Sequence, residues 1–253
     1  MTSHDVVAMA RKRLGTRKIG HAGTLDPMAT GVLVLGVNAG TRLLQYITVG
    51  KKRYLATVKL GQLTSTDDKE GEVIATTEIP TDIAAAFAKQ TGKIMQRPSS
   101  VSAIRIDGKR AYDLVREGQE VEIPAREVEV YELKILDIRG EEVDIDVTCS
   151  AGTYIRAIAR DCGGHLTALR RTEVGKFTID QASEDKIISM GEAVKGIFPI
   201  RNLDLMEVNE LKFGRPLNLT GNPEIVAGLT PEGELAALLQ DKDGRAKPIA
   251  VFL

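Results

Sequence analysis

Apolar positions along the chain follow first a helical and then a strand period. Val6, Val7, Met9, Ala10 and Leu14 roughly share one helical face, Thr2 or Ser3 can cap the start, and Gly15 can end it. The run Val32-Leu33-Val34-Leu35 predicts a buried strand through Val37, followed by a short helix over about 41–47. From Arg53 to Leu60 the period becomes two, with Tyr54, Ala56 and Val58 on one face and Leu55, Thr57 and Lys59 on the other. A short amphipathic helix is predicted over 83–89. The segments 127–139 and 142–149 alternate as two arms of a hairpin turning at Gly140. A helix then starts near Thr153 and runs to Gly163-Gly164, and from about Asn202 short strands separated by Gly and Pro turns take over.

Between the first helix and Val32 lies Gly20-His21-Ala22-Gly23-Thr24-Leu25-Asp26-Pro27-Met28-Ala29-Thr30-Gly31. Glycines sit where a backbone turns sharply or approaches a ligand, and Pro27 pushes Asp26 into an extended conformation. Asp26 is the only acid between Asp5 and Asp67. A carboxylate on a rigid loop is a candidate nucleophile or general base, although Asp-Pro between glycines is also ordinary turn chemistry. Arg156 falls in the first turn of its predicted helix, where a cation opposes the helix dipole and calls for an acidic partner. Asp26 is the partner of choice, held by bidentate hydrogen bonds; a surface pair with Asp161 or a Glu is the alternative.

The net charge of −1 hides an asymmetry. Residues 1–60 carry ten Lys or Arg against Asp5 and Asp26, a net of +8 that leaves −9 for the remainder. Positive charge is thus gathered around the shaped loop, as a polyanion-binding face requires. Lys51, Lys52 and Arg53 stand beside Tyr54, a composition suited to stacking a base while its phosphates are held. Residues 201–253 carry −2, which is no footprint for strong RNA binding. The acidic 61–71 stretch, with Asp67-Asp68-Lys69-Glu70-Gly71, predicts a turn and lacks the alternating ligands of a calcium loop. Cys149 and Cys162 have no metal spacing and His occurs only at 4, 21 and 165, so small core roles and no metal are expected. No run of eighteen apolar residues and no signal-peptide order occur, which predicts a cytoplasmic protein with no membrane partner.

The Gly20–Gly31 stretch resembles the signature of the TruB family, the tRNA pseudouridine-55 synthases. Lys52-Arg53-Tyr54, Ser150-Ala151-Gly152-Thr153-Tyr154-Ile155-Arg156 and Ala168-Leu169-Arg170-Arg171 match in the family's order. Gln96 through Ala103 is similar too, with Ser99 where a second Pro is common, and the likeness continues at Gly108 and from Tyr112 to Gly118. The family carries a short strand and a Lys-Pro-x-Gly turn ahead of Thr-Ser-His-Asp, a segment missing from this sequence, which puts the sheet edge in question.

The resemblance implies an α+β fold: a pseudouridine-synthase-like mixed antiparallel sheet with flanking helices over 1–201, and a small C-terminal PUA-like β-barrel over 202–253. An insertion at about 61–125 would help grip the RNA. The implied reaction isomerises the uridine at position 55 in the T-loop of tRNA, after base flipping, with Asp26 catalytic and Arg156 supporting it. His21, Tyr54, Tyr154 and Leu169 would contact the substrate, and Lys51, Lys52, Arg53, Arg170 and Arg171 the RNA backbone. Whether Asp26 acts at C1′, at C6 or as a base at C2′ stays open, and Tyr54 is a candidate for removing the C5 proton. No cofactor is expected. The partner is the tRNA T-stem-loop, with no obligate protein partner and a monomeric state. The competing class is a non-catalytic tRNA-binding or RNA-chaperone protein using the same basic cleft.

Overall fold

Alternation over 53–60 is realised as the strand Lys52–Leu60, the centre of a seven-stranded sheet. The computed structural model describes residues 1–102, 105–106, 109–110, 123–184 and 186–253. The family-like positions Ala103, Gly108 and 112–118 lie outside the described residues. Lys52–Leu60 pairs antiparallel with Gly164–Val174 on one side and with Glu142–Cys149 on the other. Arg126–Arg139 completes the expected hairpin at Gly140, and Gly92–Gln96 forms the edge beyond it. That edge strand lies inside the stretch expected to be a separate insertion, so part of 61–125 belongs to the main sheet.

Tyr54, Ala56, Val58 and Leu60 point to one face, where Val143, Ile145 and Val147 join them from the neighbouring strand. Ile155, Ile158 and Ala159 from the helix Ile155–Asp161 close this core, and Cys149 and Cys162 lie within it. Burial pushes the two thiols up to about 11 and about 12, so both are small apolar residues here. Gly164–Val174 breaks strict alternation twice, with register shifts at Thr167 and Thr172. Each extra residue flips the parity of the strand. Leu166, Leu169, Arg171 and Val174 therefore all turn inward.

The first helix is Ser3–Leu14, with a Thr2/Asp5 capping box and Gly15 in the left-handed conformation at φ 63°. The continuous strand expected from Val32 to Val37 is not found. Leu35–Val37 pairs with Ile19–His21, while Thr30–Gly31 runs parallel to Arg170–Arg171. Between them Val32 donates to the Arg171 carbonyl and Val34 accepts from Ala22, because one apolar run serves two partners. The helix expected at 41–47 starts as a 3-10 turn over Asn38–Leu43 and continues as Leu44–Thr48. Of the stretch 61–71 expected as a turn, Gln62–Thr64 is a strand paired with Val73–Thr76, and the acidic residues Asp67, Asp68 and Glu70 lie in the connection between the two strands.

The C-terminal PUA-like unit is a four-stranded sheet of Ile200–Asn202, Val226–Leu229, Leu235–Lys242 and Arg245–Val251 in that order. The helix Leu205–Lys212, capped by Asp204 and Glu207, interrupts a region that reads as strands alone. Within the region read as short strands, Leu217 makes only an isolated antiparallel bridge to Ala246. Ala227, Leu229, Leu235 and Leu238 pack against Ala22, Val32, Leu43, Ile47 and Val174. The sheet thus shares its core with the underside of the Gly20–Gly31 loop.

Candidate active site

The shaped loop is tied to the sheet by backbone. Gly31 has φ 100°, and any Cβ there would run into the Arg171 carbonyl oxygen, so only glycine allows the parallel pairing with Arg170 and Arg171. Arg171, 1% exposed, lies beneath the loop. Its guanidinium donates from Nε to the Val32 carbonyl at 2.8 Å, from Nη2 to Gly23 at 3.1 Å and from Nη1 to Thr24 at 3.4 Å. Three carbonyls that the turns leave without strand partners are satisfied by one side chain.

At the loop's apex Asp26 meets Arg156. Nε donates to Oδ2 at 3.0 Å and Nη2 to Oδ1 at 2.9 Å, so both carboxylate oxygens are gripped. The Arg156 side chain is 5% exposed and the Asp26 side chain 29%, which leaves the carboxylate partly open to solvent. The remaining guanidinium protons go to the Thr66 carbonyl at 2.8 Å, the Val101 carbonyl at 3.0 Å and Ser99 Oγ at 3.3 Å. All five donors are used. Buried Asp68 adds a second carboxylate 3.6 Å from Nη1, itself fixed by the Thr66 hydroxyl and the Glu70 amide. These two acids offset the unfavourable place of Arg156 in a helix's first turn. Asp68 escaped the sequence reading, because adjacent acids in a turn look like solvated charge.

Tyr154 directly precedes the helix that carries Arg156. Buried Gln96 clamps its backbone by accepting from Tyr154 N at 2.8 Å and donating to Tyr154 O at 3.1 Å. The Arg126 guanidinium lies 5.3 Å from the Tyr154 ring centroid and also donates to the Gly152 carbonyl. Tyr54 pairs across the sheet with Arg171, and buried Leu169 stands beside it opposite Ala56. Burial first, against the opposing charge of Arg171, pushes the Tyr54 phenol up to about 12, so it stays protonated at neutral pH. His21 is half-buried with its ring edge toward His4 at 6.0 Å, and burial lowers its pKa.

The five expected backbone-contacting cations separate. Lys51 is exposed above the Tyr131 ring at 4.3 Å, and Arg170 is exposed with its guanidinium near the Thr30 hydroxyl. Arg53 is exposed but engaged, bidentate on Asp146 and paired with Glu173 at 3.0 Å. Lys52 and Arg171 do not face solvent. Lys52 is 7% exposed and donates to the Thr48 carbonyl at 2.7 Å, while Arg171 holds the loop. Both lie on inward-facing positions of their strands, which charge counting could not show.

Residues 11–155 match the family described as "TruB family pseudouridylate synthase (N terminal domain)". The chain belongs to the TruB family. Residues 198–253 match "tRNA Pseudouridine synthase II, C terminal". This TruB-family chain is 48% identical to tRNA pseudouridine synthase B of Arthrobacter sp. (strain FB24), covering 99% of this chain and 92% of that protein. It is 50% identical to the protein of that name from Nocardia farcinica (strain IFM 10152), covering 99% and 89%. Among solved structures it resembles a chain of "Structure of H/ACA RNP bound to a substrate RNA containing 2'-deoxyuridine", with a TM-score of 0.73, 25% identity and coverage of 100% and 82%. A chain of "Crystal Structure of a Cbf5-Nop10-Gar1 Complex" superposes with a TM-score of 0.70 at 26% identity, covering 100% and 81%.

Proposed function

We propose that this TruB-family protein isomerises the uridine at position 55 in the T-loop of tRNA to pseudouridine, acting as a cytoplasmic monomer. The bond from N1 to C1′ breaks, the base turns, and C5 joins C1′. C5 loses its proton and N1 gains one, so no redox partner or group donor enters. Residues 1–201 form the catalytic part, 61–125 help grip the stem-loop, and 202–253 are the PUA-like unit.

Flipping a base out of a folded loop costs a few kcal/mol, offset by stacking and phosphate contacts. His21 fills the vacated place in the RNA, Tyr54 and Tyr154 bracket the uracil, and Leu169 is its apolar wall. Lys51 and Arg170, both exposed, meet phosphates. Asp26 acts on the ribose or base. Tyr54, protonated in the free protein, donates to the uracil and takes part in proton removal at C5 only after a change in its surroundings. The observation that carries the reading is the Asp26 carboxylate held at both oxygens by a buried guanidinium and still partly open to solvent. Binding alone needs no such pair.

The test measures tritium release from C5-labelled uridine in a T-loop transcript alongside filter binding. Asp26→Asn removes the charge and keeps the shape. Release should vanish while affinity stays within about tenfold, roughly 1.4 kcal/mol. A wild-type protein that binds the transcript and releases no tritium would establish the RNA-binding class instead.

A further inference from the structure

We infer that Ser3, at the start of the first helix, is a positioning residue for Asp26. This rests on the reading of Asp26 as the reacting carboxylate. Ser3 is 4% exposed, and its hydroxyl reaches across to the loop. Ser3 Oγ accepts from Leu25 N at 2.9 Å and donates to Leu25 O at 3.3 Å. A serine in a helix's first turn ordinarily bonds within its own helix or to water, whereas this one is spent on a residue twenty-two positions away.

Leu25 immediately precedes Asp26. Its carbonyl lies in the same rigid peptide plane as the Asp26 nitrogen, so fixing that carbonyl fixes one side of the Asp26 backbone. The orientation of this plane sets where the Asp26 Cα–Cβ bond points. Arg156 then grips the carboxylate from the other end. With both ends held, the carboxylate has one direction; with the Ser3 hydroxyl gone, the plane can rotate and one of the two Arg156 bonds lengthens.

Ser3 is itself well anchored. Thr2 Oγ1 accepts from Asp5 N at 3.2 Å and Asp5 Oδ2 accepts from Thr2 N at 2.7 Å, which locks the first turn. The next residue, His4, lays its ring against His21 of the same loop. The helix start therefore holds the loop at two points, one of them adjacent to Asp26.

The experiment is single-turnover tritium release with the full-length protein, together with filter binding and thermal melting. Ser3→Ala should slow release at least tenfold, since misplacing a reacting group by about 1 Å can cost around a hundredfold, while affinity stays within about twofold. Ser3→Thr and Ser3→Val have one shape and differ in the hydroxyl, so Thr should recover most of the rate and Val should not. Ser3→Ala at the wild-type rate would overturn the inference. So would Thr and Val losing rate equally, or a loss confined to affinity. Asp26→Asn run in parallel separates the two readings: if it still releases tritium, the Asp26 assignment falls, and if it is inert while Ser3→Ala is unaffected, the Ser3 inference alone falls.

Discussion

Arg156 and Asp26, 130 residues apart in sequence, meet through two parallel hydrogen bonds of 3.0 and 2.9 Å, and the same guanidinium also ties down the Thr66 and Val101 carbonyls. One side chain therefore joins the loop, the acidic turn and the segment after Gln96.

Arg156→Lys tests that junction. An ammonium keeps the charge but cannot span two carboxylate oxygens and two carbonyls at once. Disrupting a buried pair of this kind costs about 3–5 kcal/mol, and retained charge places this variant at the lower end. Turnover should fall at least a hundredfold and the melting temperature by several degrees. An Arg156→Lys protein that melts with the wild type would show that the carbonyl contacts carry no stability.

The split among the basic residues gives a second test. Lys51→Glu or Arg170→Glu should weaken tRNA binding and flatten the salt dependence of log Kd, by about 0.7 per lost phosphate contact on single-stranded RNA. Lys52→Met should leave that slope alone and lower the melting temperature, because its ammonium is bound to carbonyls inside the fold. A changed slope for Lys52→Met would mean that this cation reaches the RNA.

Tyr54 offers a titration as well as a rate. Tyr54→Phe keeps the ring and should retain affinity within about threefold while slowing release about tenfold or more, as expected on losing a proton-transfer group. Its folded pKa of about 12 lies above the usual phenol value of 10.0. The unfolded chain therefore loses this proton first, and the stability tied to Tyr54 is complete below pH 10 and is lost as pH rises toward 12. Tyr54→Phe should show a shallower loss of stability across that window in denaturant melts. Parallel curves would remove the phenol from the alkaline transition.

Deleting residues 203–253 strips partners from Ala22, Val32, Leu43, Ile47 and Val174. Burying a large aliphatic side chain is worth about 1.5–3 kcal/mol, so the loss exceeds the stability of many domains. The shortened chain should lose cooperative melting and tritium release together. A truncated protein that melts cooperatively and reacts at the full rate would show that the catalytic part folds without its PUA-like neighbour.

Several of these relationships are legible in the sequence. The faces of Lys52–Leu60, the Thr2 cap and Gly15 stop follow from period and local chemistry. That Arg156 needs an acidic partner follows from a cation placed where the helix dipole opposes it; the choice of Asp26 over Asp161 or a Glu is made by the fold. Other features depend on distant strands. Arg171 reads as a surface cation until two bulges in Gly164–Val174 fix which way its side chains turn, whereas Lys52 is in phase with the inward face of Tyr54, Ala56 and Val58 and counts as a surface charge all the same. Val32–Leu35 reads as one strand because its apolar pattern cannot disclose that the backbone changes partner at Arg171. Asp68 is invisible for a similar reason, since its charge is matched by a residue 88 positions away.

The close approach of Gly31 to the Arg171 backbone bears on how RNA is received. Immobilising a residue's backbone takes about 1–2 kcal/mol of conformational entropy, and for the loop that loss is incurred during folding, before any nucleic acid arrives. Free and RNA-bound protein should then present the same loop shape, and the deformation needed to join them falls on the RNA.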